Sequence, residues 1–502
     1  MFSIRLLLEA VLLLARAIVE ALREAPDFRA LECRIVAAVQ EVARRLFEHA
    51  CAYLDEQALR ARDAARLQPV HTKAKKLQTV FGALYLRRRY YRDRQTGAGR
   101  YVLDELLGLE PRQRLSPLVW ERGVLQATER SFRGAARALE ALTGGTVHVS
   151  AMGLWRRLQA VGAGLKARTS ARREALFGYG EVPPGRAVPE ALHVEADEFF
   201  VPGRGGAVGI KLAAGYEGKE PVGRGRRRLV NRRVHAAVAD GATFFEEAVA
   251  EFGQVWDLGA VGACWVGSDG APWAKRGLME AFPRATFRLD PFHLRRALRE
   301  GLGHDAAAHA AVQSALAAGR SWAEVAAVLE EAAAWASGER RRRVQALVGY
   351  LRAHWDGIEA CEGVRRLGVI EGTGRHVLMR RMKRIGGCWS RQGADHMARV
   401  LAAKANGELE AVLRQVRPRD VARCAALVPE RPVRPCTAEE RQDLEAWLRR
   451  VRVPALYGGR VPASGGKAAS PRLMAYTAAT ARGLTERLSP ATSPPLSLAI
   501  DA

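Results

Sequence analysis

Cysteine is sparse in this chain of 502 residues: Cys33, Cys51, Cys264, Cys361, Cys388, Cys424 and Cys436 stand singly, with no CxxC pair. Scattered thiols in odd number do not make a disulfide framework, and they suit a reducing cytoplasm. Aromatic residues are few, at 7%. Long apolar runs are missing too. The most hydrophobic stretch, Leu6 to Val19, is broken by Glu9 and Arg16. It falls short of the roughly 20 residues a membrane span needs, and reads as an amphipathic, packed or self-associating helix. No Walker loop, GxGxxG fingerprint, HExxH or GxSxG stands in suitable context, so nucleotide-fuelled, redox, zincin and serine-hydrolase chemistry find no support. Acids are outnumbered: 79 Lys and Arg against 54 Asp and Glu leave a net charge of +25. That surplus points to a polyanionic partner, nucleic acid first and an anionic membrane surface second.

What is present is a globular balance, 48% hydrophobic and 26% charged, in a chain long enough for several domains. Residues 1–66 form an N-terminal helical region broken near Pro26. Residues 67–112 form a basic β-hairpin region, because apolar, aromatic and basic residues alternate there. Between 71 and 100 there are nine Lys or Arg and one acid. Arg87, Arg88, Arg89, Arg92 and Arg94 interleave with Tyr85, Tyr90 and Tyr91, a pattern that grips phosphates and packs rings on sugars or bases. Residues 113–165 read as a helix-turn-helix-like DNA-binding region. Ser116-Pro117, Ser131 and Ser150 mark helix starts, and the last helix carries Trp155, Arg156 and Arg157.

Strands and helices alternate through 190–303, the first part of an α/β core with a mixed sheet. Residues 304–365 read as a helical insertion anchored by Trp322, Trp335 and Trp355. The core ends over 366–430, and 431–502, rich in Pro, Gly, Ser and Ala, reads as a flexible tail.

Two aspartates stand where strands end, Asp197 in HVEADEFF and Asp269 in WVGSDG. Carboxylates converging from separate strands suit hard divalent cations, and two such ions can stabilise both oxygens of a phosphoryl displacement. The third acid is Glu371, alone among acids between residues 363 and 394. Asp356, Glu359, Glu362 and Asp395 compete for the role. Arg380, Arg381 and Lys383 follow Glu371, so the carboxylates sit among groups able to hold a phosphodiester chain. Asp290 and His293, three apart in LDPFH, are accessory candidates, with helix capping or DNA contact the simpler role for the histidine.

The segments TVFGALYLRRRYYRD, SFRGAARALEALTG, HVEADEFFV, SDGAPW, LDPFHLRR, LGVIEG and RMKRIGGCWSRQGA resemble, in order, those of ISLre-type insertion-sequence transposases. This resemblance implies a DDE transposase, Mutator-like, with a ribonuclease-H-like catalytic core. It implies metal-ligand roles for Asp197, Asp269 and Glu371 with two Mg2+ ions, Mn2+ being the alternative. The expected partners are the terminal inverted repeats of the element and target DNA, bound by a homo-oligomer in the bacterial cytoplasm at the nucleoid. Glu198 stands where the family pattern has glycine. The contrasting reading is a non-catalytic, inactivated or domesticated DNA-binding protein, which keeps the basic surfaces and does not need the acids.

Overall fold

The computed structural model describes residues 4–359, 367–383 and 387–414. The expected tail at 431–502 and the competing acid Glu362 lie outside them. At the N-terminus α1 (Ile4–Glu24) packs on α2 (Phe28–Ala61), and Asp27 caps α2 by accepting from Ala30 N at 2.7 Å. Next comes an antiparallel sheet of β1 (Leu67–Thr79), β2 (Gly82–Asp93) and β3 (Gly99–Arg100), followed by α3 (Val102–Leu106). The β1–β2 turn closes on Gly82 at φ +101°, a conformation that glycine adopts without strain. Helix α2 runs beside β2, where Glu48 and Asp55 accept from the backbone N–H groups of Tyr85 and Arg89.

Serines cap the next three helices: Ser116 for α4 (Pro117–Glu129), Ser131 for α5 (Phe132–Leu142) and Ser150 for α6 (Ala151–Tyr179). Helix α6 runs 14 residues past the expected boundary at 165 and ends on Gly180 at φ +71°. Its Leu154, Leu158 and Leu165 share one core with the large sheet, so this region is built into the body of the protein.

The large sheet is mixed, in the order β10-β9-β4-β5-β8. Strands β4 (Ala191–Gly203), β5 (Gly206–Tyr216) and β8 (Arg233–Ala237) form an antiparallel meander. Strands β9 (Ala263–Ser268) and β10 (Thr286–Leu289) add parallel to β4. Between β5 and β8, β6 (Gly218–Gly223) and β7 (Arg226–Val230) make a separate hairpin. Alternation sorts the side chains of β4. Leu192, Val194 and Ala196 pack under α7 (Gly241–Phe252) and α8 (Pro272–Ala281), while Phe199 and Val201 face α6 and the later helices.

Helices α9 (Pro291–Leu302), α10 (Ala306–Ala317), α11 (Trp322–Trp335) and α12 (Gly338–Ala353) form the helical insertion with its own core, followed by α13 (Asp356–Glu359). Trp322 and Trp355 meet edge to face at 5.2 Å. Trp335 departs from the expected anchoring role: it ends α11 and is 85% exposed. The chain returns through α14 (Ile370–Gly374), a π-helical turn (Arg375–Met379) and α15 (Arg380–Met382). Then α16 (Arg391–Ala405), buried against β8, and α17 (Leu409–Arg414) complete the described chain. Among the described residues no helix is long and apolar enough to cross a membrane.

Candidate metal centre

Three neighbouring parallel strands deliver acids to one edge of the sheet. Glu195 of β4 lies opposite Gly267 of β9, so two residues further on the chain reaches Asp197 and Asp269. Asp269 stands just past the end of β9, but Asp197, expected at a strand end, lies in mid-strand because β4 runs on to Gly203 against β5. Leu289 of β10 lies opposite Ser268, and Asp290 follows it, its N–H bonded to Ser268 O at 2.8 Å. The carboxyl ends of parallel strands are where α/β sheets present their reactive groups. Pro291 starts α9 at once, and the first turn of that helix carries His293 to the same edge. Glu371 arrives on the second residue of α14.

One ligating atom from each of Asp197, His293 and Glu371 lies within 4.8 Å of the other two. His293 Nε2 is 3.7 Å from Asp197 Oδ2 and 3.7 Å from Asp290 Oδ2, too far for a hydrogen bond to either. Asp197 Oδ1 accepts from Glu198 N at 2.7 Å. Asp290 is 1% exposed, and neither of its oxygens closes a hydrogen bond, although the N–H groups of Phe292 and His293 face it. Burial raises the Asp290 carboxyl above the usual carboxylate range, and the charge of Asp197 adds to the rise. The imidazole of His293 is also raised, by Asp197 first and against its own burial, with Asp290 and Asp269 contributing.

Buried polar atoms without partners are costly and uncommon, and a bound cation is one group that would satisfy these. Ligands on opposite sides of a divalent ion lie about 4–5 Å apart at the usual bond lengths of about 2.0–2.5 Å. The triangle fits that span. Its two carboxylates and one imidazole suit a hard or borderline divalent metal.

Asp269 stands beside the triangle. Its Oδ1 accepts from Ala271 N at 2.9 Å, and its backbone oxygen accepts from the Tyr350 hydroxyl at 3.1 Å. With His293, Arg296, Glu300, Arg343 and Tyr350 it lines a cleft of about 600 Å³. The expected trio therefore reaches one edge, but His293 occupies the third corner of the tight group. Two of the competing acids are engaged elsewhere. Asp356 pairs with Lys275, and Asp395 pairs with Arg399 and Lys166 while accepting from Val238 N. Glu198, at the expected glycine position, pairs with Lys211 at 3.1 Å and lies across Gly209 on the neighbouring strand.

The basic residues divide. Arg87, Arg92, Arg156, Arg380 and Lys383 are exposed, and Arg157 is half-buried. Arg89 pairs with Asp55 at 2.7 Å and Glu56 at 2.8 Å. Arg88 is buried against Asp104, which Lys75 shares, and stacks on the Tyr101 ring. Arg381 is 4% exposed between the rings of Phe132 and Trp389, donates to Ala127 O, and is lowered to about 10 by burial. Arg88 and Arg381, expected to meet DNA, are thus interior groups, because acids and carbonyls distant in sequence enclose them. Sequence reasoning missed Glu195 and Tyr216. The available signal was position: Glu195 precedes Asp197 by two residues and so shares its face of β4.

A mixed sheet with acids and a histidine gathered at its carboxyl edge defines a class: an α/β protein with a candidate divalent-metal centre. The chain belongs to the UPF0236 family, described as uncharacterised, which matches residues 22–418. A UPF0236 protein in the vanSb 3' region of Streptococcus gallolyticus is 27% identical over 363 residues, 69% of this chain and 76% of that protein. A UPF0236 protein of Caldanaerobacter subterraneus subsp. tengcongensis, whose name joins eleven loci, is 26% identical over 66% of this chain and 68% of its own length.

Proposed function

We propose that this chain is a DNA transposase with a ribonuclease-H-like catalytic core, which cuts DNA at the ends of its own element and joins them to target DNA. The observation that carries the reading is the convergence of Asp197, His293 and Glu371 within 4.8 Å, beside Asp269 and Asp290. A three-stranded antiparallel meander extended by two parallel strands, with the acids at their ends, supports the core assignment. The charge of +25 and the exposed Arg87, Arg92, Arg156, Arg380 and Lys383 support a nucleic-acid partner. A relative whose single name joins eleven loci is what a self-copying element leaves in a genome.

Mg2+ or Mn2+ held by Asp197, His293 and Glu371 would supply Lewis-acid stabilisation of charge developing on a phosphodiester. The protein's part is positioning. Strands β4, β9 and β10 hold three aspartates at one level, and the first turn of α9 holds the imidazole between Asp197 and Asp290. Arg296 and Arg343 line the adjoining cleft in exposed ion pairs with Glu300 and Glu339, and would exchange those partners to meet phosphate oxygens. A homo-oligomer on DNA would pair the two element ends.

The test is strand cleavage and joining by the full chain, on duplexes carrying the DNA that flanks its gene, in Mg2+ and in Mn2+. Glu371→Gln and Asp197→Asn should abolish both steps and leave DNA binding and folding near wild type. Cleavage by Glu371→Gln at the wild-type rate sinks the assignment. End binding without cleavage by the wild type favours the non-catalytic DNA-binding reading.

A further inference from the structure

Glu195 has no solvent exposure, yet every hydrogen bond described for it has a carboxylate oxygen as acceptor. Its Oε2 accepts from three consecutive backbone N–H groups: Gly368 at 2.9 Å, Val369 at 2.9 Å and Ile370 at 3.2 Å. Its Oε1 accepts from the Tyr216 hydroxyl at 2.6 Å. The residue that follows Ile370 is Glu371. N–H groups at the start of a helix have no partner inside that helix, so something outside must bond them. Here the partner comes from β4, on the same face as Asp197 and two residues before it. Gly368, at φ +100°, makes the turn that aims its own N–H and the next two at one oxygen.

We propose that Glu195 is a positioning residue. Its carboxylate pins Gly368–Ile370 to β4 and thereby holds the Glu371 side chain at Asp197 and His293. The proposal rests on the reading that those three residues hold a divalent cation. Two properties of Glu195 can be separated. Its reach brings an oxygen to three amides, whereas any charge it carries would act on the edge of the sheet through space. Glutamine keeps the reach: its carbonyl oxygen can take the three amides while its NH2 faces Tyr216, whose hydroxyl rotates to accept. Aspartate keeps the charge but falls short by about 1.5 Å, one carbon–carbon bond.

The experiment is Mn2+ titration of the full chain, followed by electron paramagnetic resonance, for wild type, Glu371→Gln, Glu195→Asp, Glu195→Gln and the double variant Glu195→Asp/Glu371→Gln. Circular dichroism checks the fold of each. Glu195→Asp should bind Mn2+ about 10- to 100-fold more weakly, the usual cost of losing a partner that orients a ligand. Glu195→Gln should stay within about threefold of wild type if, as argued, it keeps the amide bonds. The double variant should bind no more than about twofold more weakly than Glu371→Gln alone, because residues that act through one another are not additive. Wild-type affinity in Glu195→Asp, a loss confined to Glu195→Gln, or additive losses in the double variant overturn the positioning role alone. A wild type that binds no Mn2+, or Glu371→Gln binding as wild type does, overturns the ligand reading and this role with it.

Discussion

Arginines that adjoin in sequence do different work on β2. Arg88 points inward to Asp104, which Lys75 also pairs with, while Arg87 stays in solvent and Arg92 near the end of the strand does too. Each phosphate neutralised steepens the log–log salt dependence of DNA binding by about 0.9. Replacing Arg87 and Arg92 together by alanine should therefore flatten the slope by up to about 1.8, read from binding isotherms at four salt concentrations. The slope should not respond to Arg88→Ala. That variant opens a buried ion-pair network and should lose about 3 kcal/mol of stability in urea denaturation. A flattened slope in a fully stable Arg88→Ala protein would place that guanidinium on the DNA after all. His193 offers a second residue-scale test. It lies between Tyr216 and Trp265, and burial foremost holds its pKa below the ordinary 6.5. The folded protein thus favours neutral His193. This contribution to stability is complete above pH 6.5 and is lost as pH falls through the lower folded pKa. Denaturation midpoints should drop between pH 7.5 and 5.5, and drop less in His193→Phe; an equal drop in both removes His193 as a source.

At the scale of elements, the segment from 367 to 382 shows what a sequence reveals and what it hides. Glu371 stood out as a lone acid behind an apolar triplet and Asp269 as an acid in a strand-end turn, because turn residues are local signals, whereas Asp197, read as a strand-end acid, lies in the middle of β4. The placement of His293 in the tight group was not legible. It depends on the register of β9 with β10 and on the first turn of α9, both set by long-range pairing. Glu195 was hidden for the same reason, its amide partners lying more than 170 residues away. The strand-and-helix alternation of the core was readable, whereas the enclosure of Arg381 by Phe132 and Trp389 was not. Gly368 gives this element its test. A Cβ there would meet Asp290 Oδ1 at 3.6 Å, an ordinary contact, so the cost of Gly368→Ala is conformational. The φ of +100° should make that cost about 1–3 kcal/mol in urea denaturation. A variant as stable as wild type would mean the turn has another conformation.

For the whole molecule, the question is where it divides. Reading 67–112 and 113–165 as adjoining DNA-binding regions invites treating 67–165 as a detachable unit. The packing argues otherwise at both ends of that segment. Upstream, Cys51 of α2 packs with Leu77, Leu84 and Leu86, and Ala58 packs with Tyr91, Val102 and Leu106. Asp55 and Glu56 of α2 also neutralise Arg89. Downstream, Leu158 and Leu165 of α6 pack with Ile210 and Leu212 of β5 and with Met397 and Leu401 of α16. A fragment spanning 67–165 would expose both apolar faces and leave Arg88 and Asp104 in a frayed sheet. Fully burying one large apolar side chain contributes about 1.5–3 kcal/mol, and several per face are lost, more than a domain of this size holds in reserve. The fragment should therefore give an amide proton spectrum of narrow dispersion and no cooperative melting transition. A fragment covering 28–110 keeps α2, the three-stranded sheet, α3 and both small cores, and should show dispersed amides and a measurable transition. A cooperatively folded 67–165 fragment would restore the modular reading, and with it the idea that end recognition can be detached from the core.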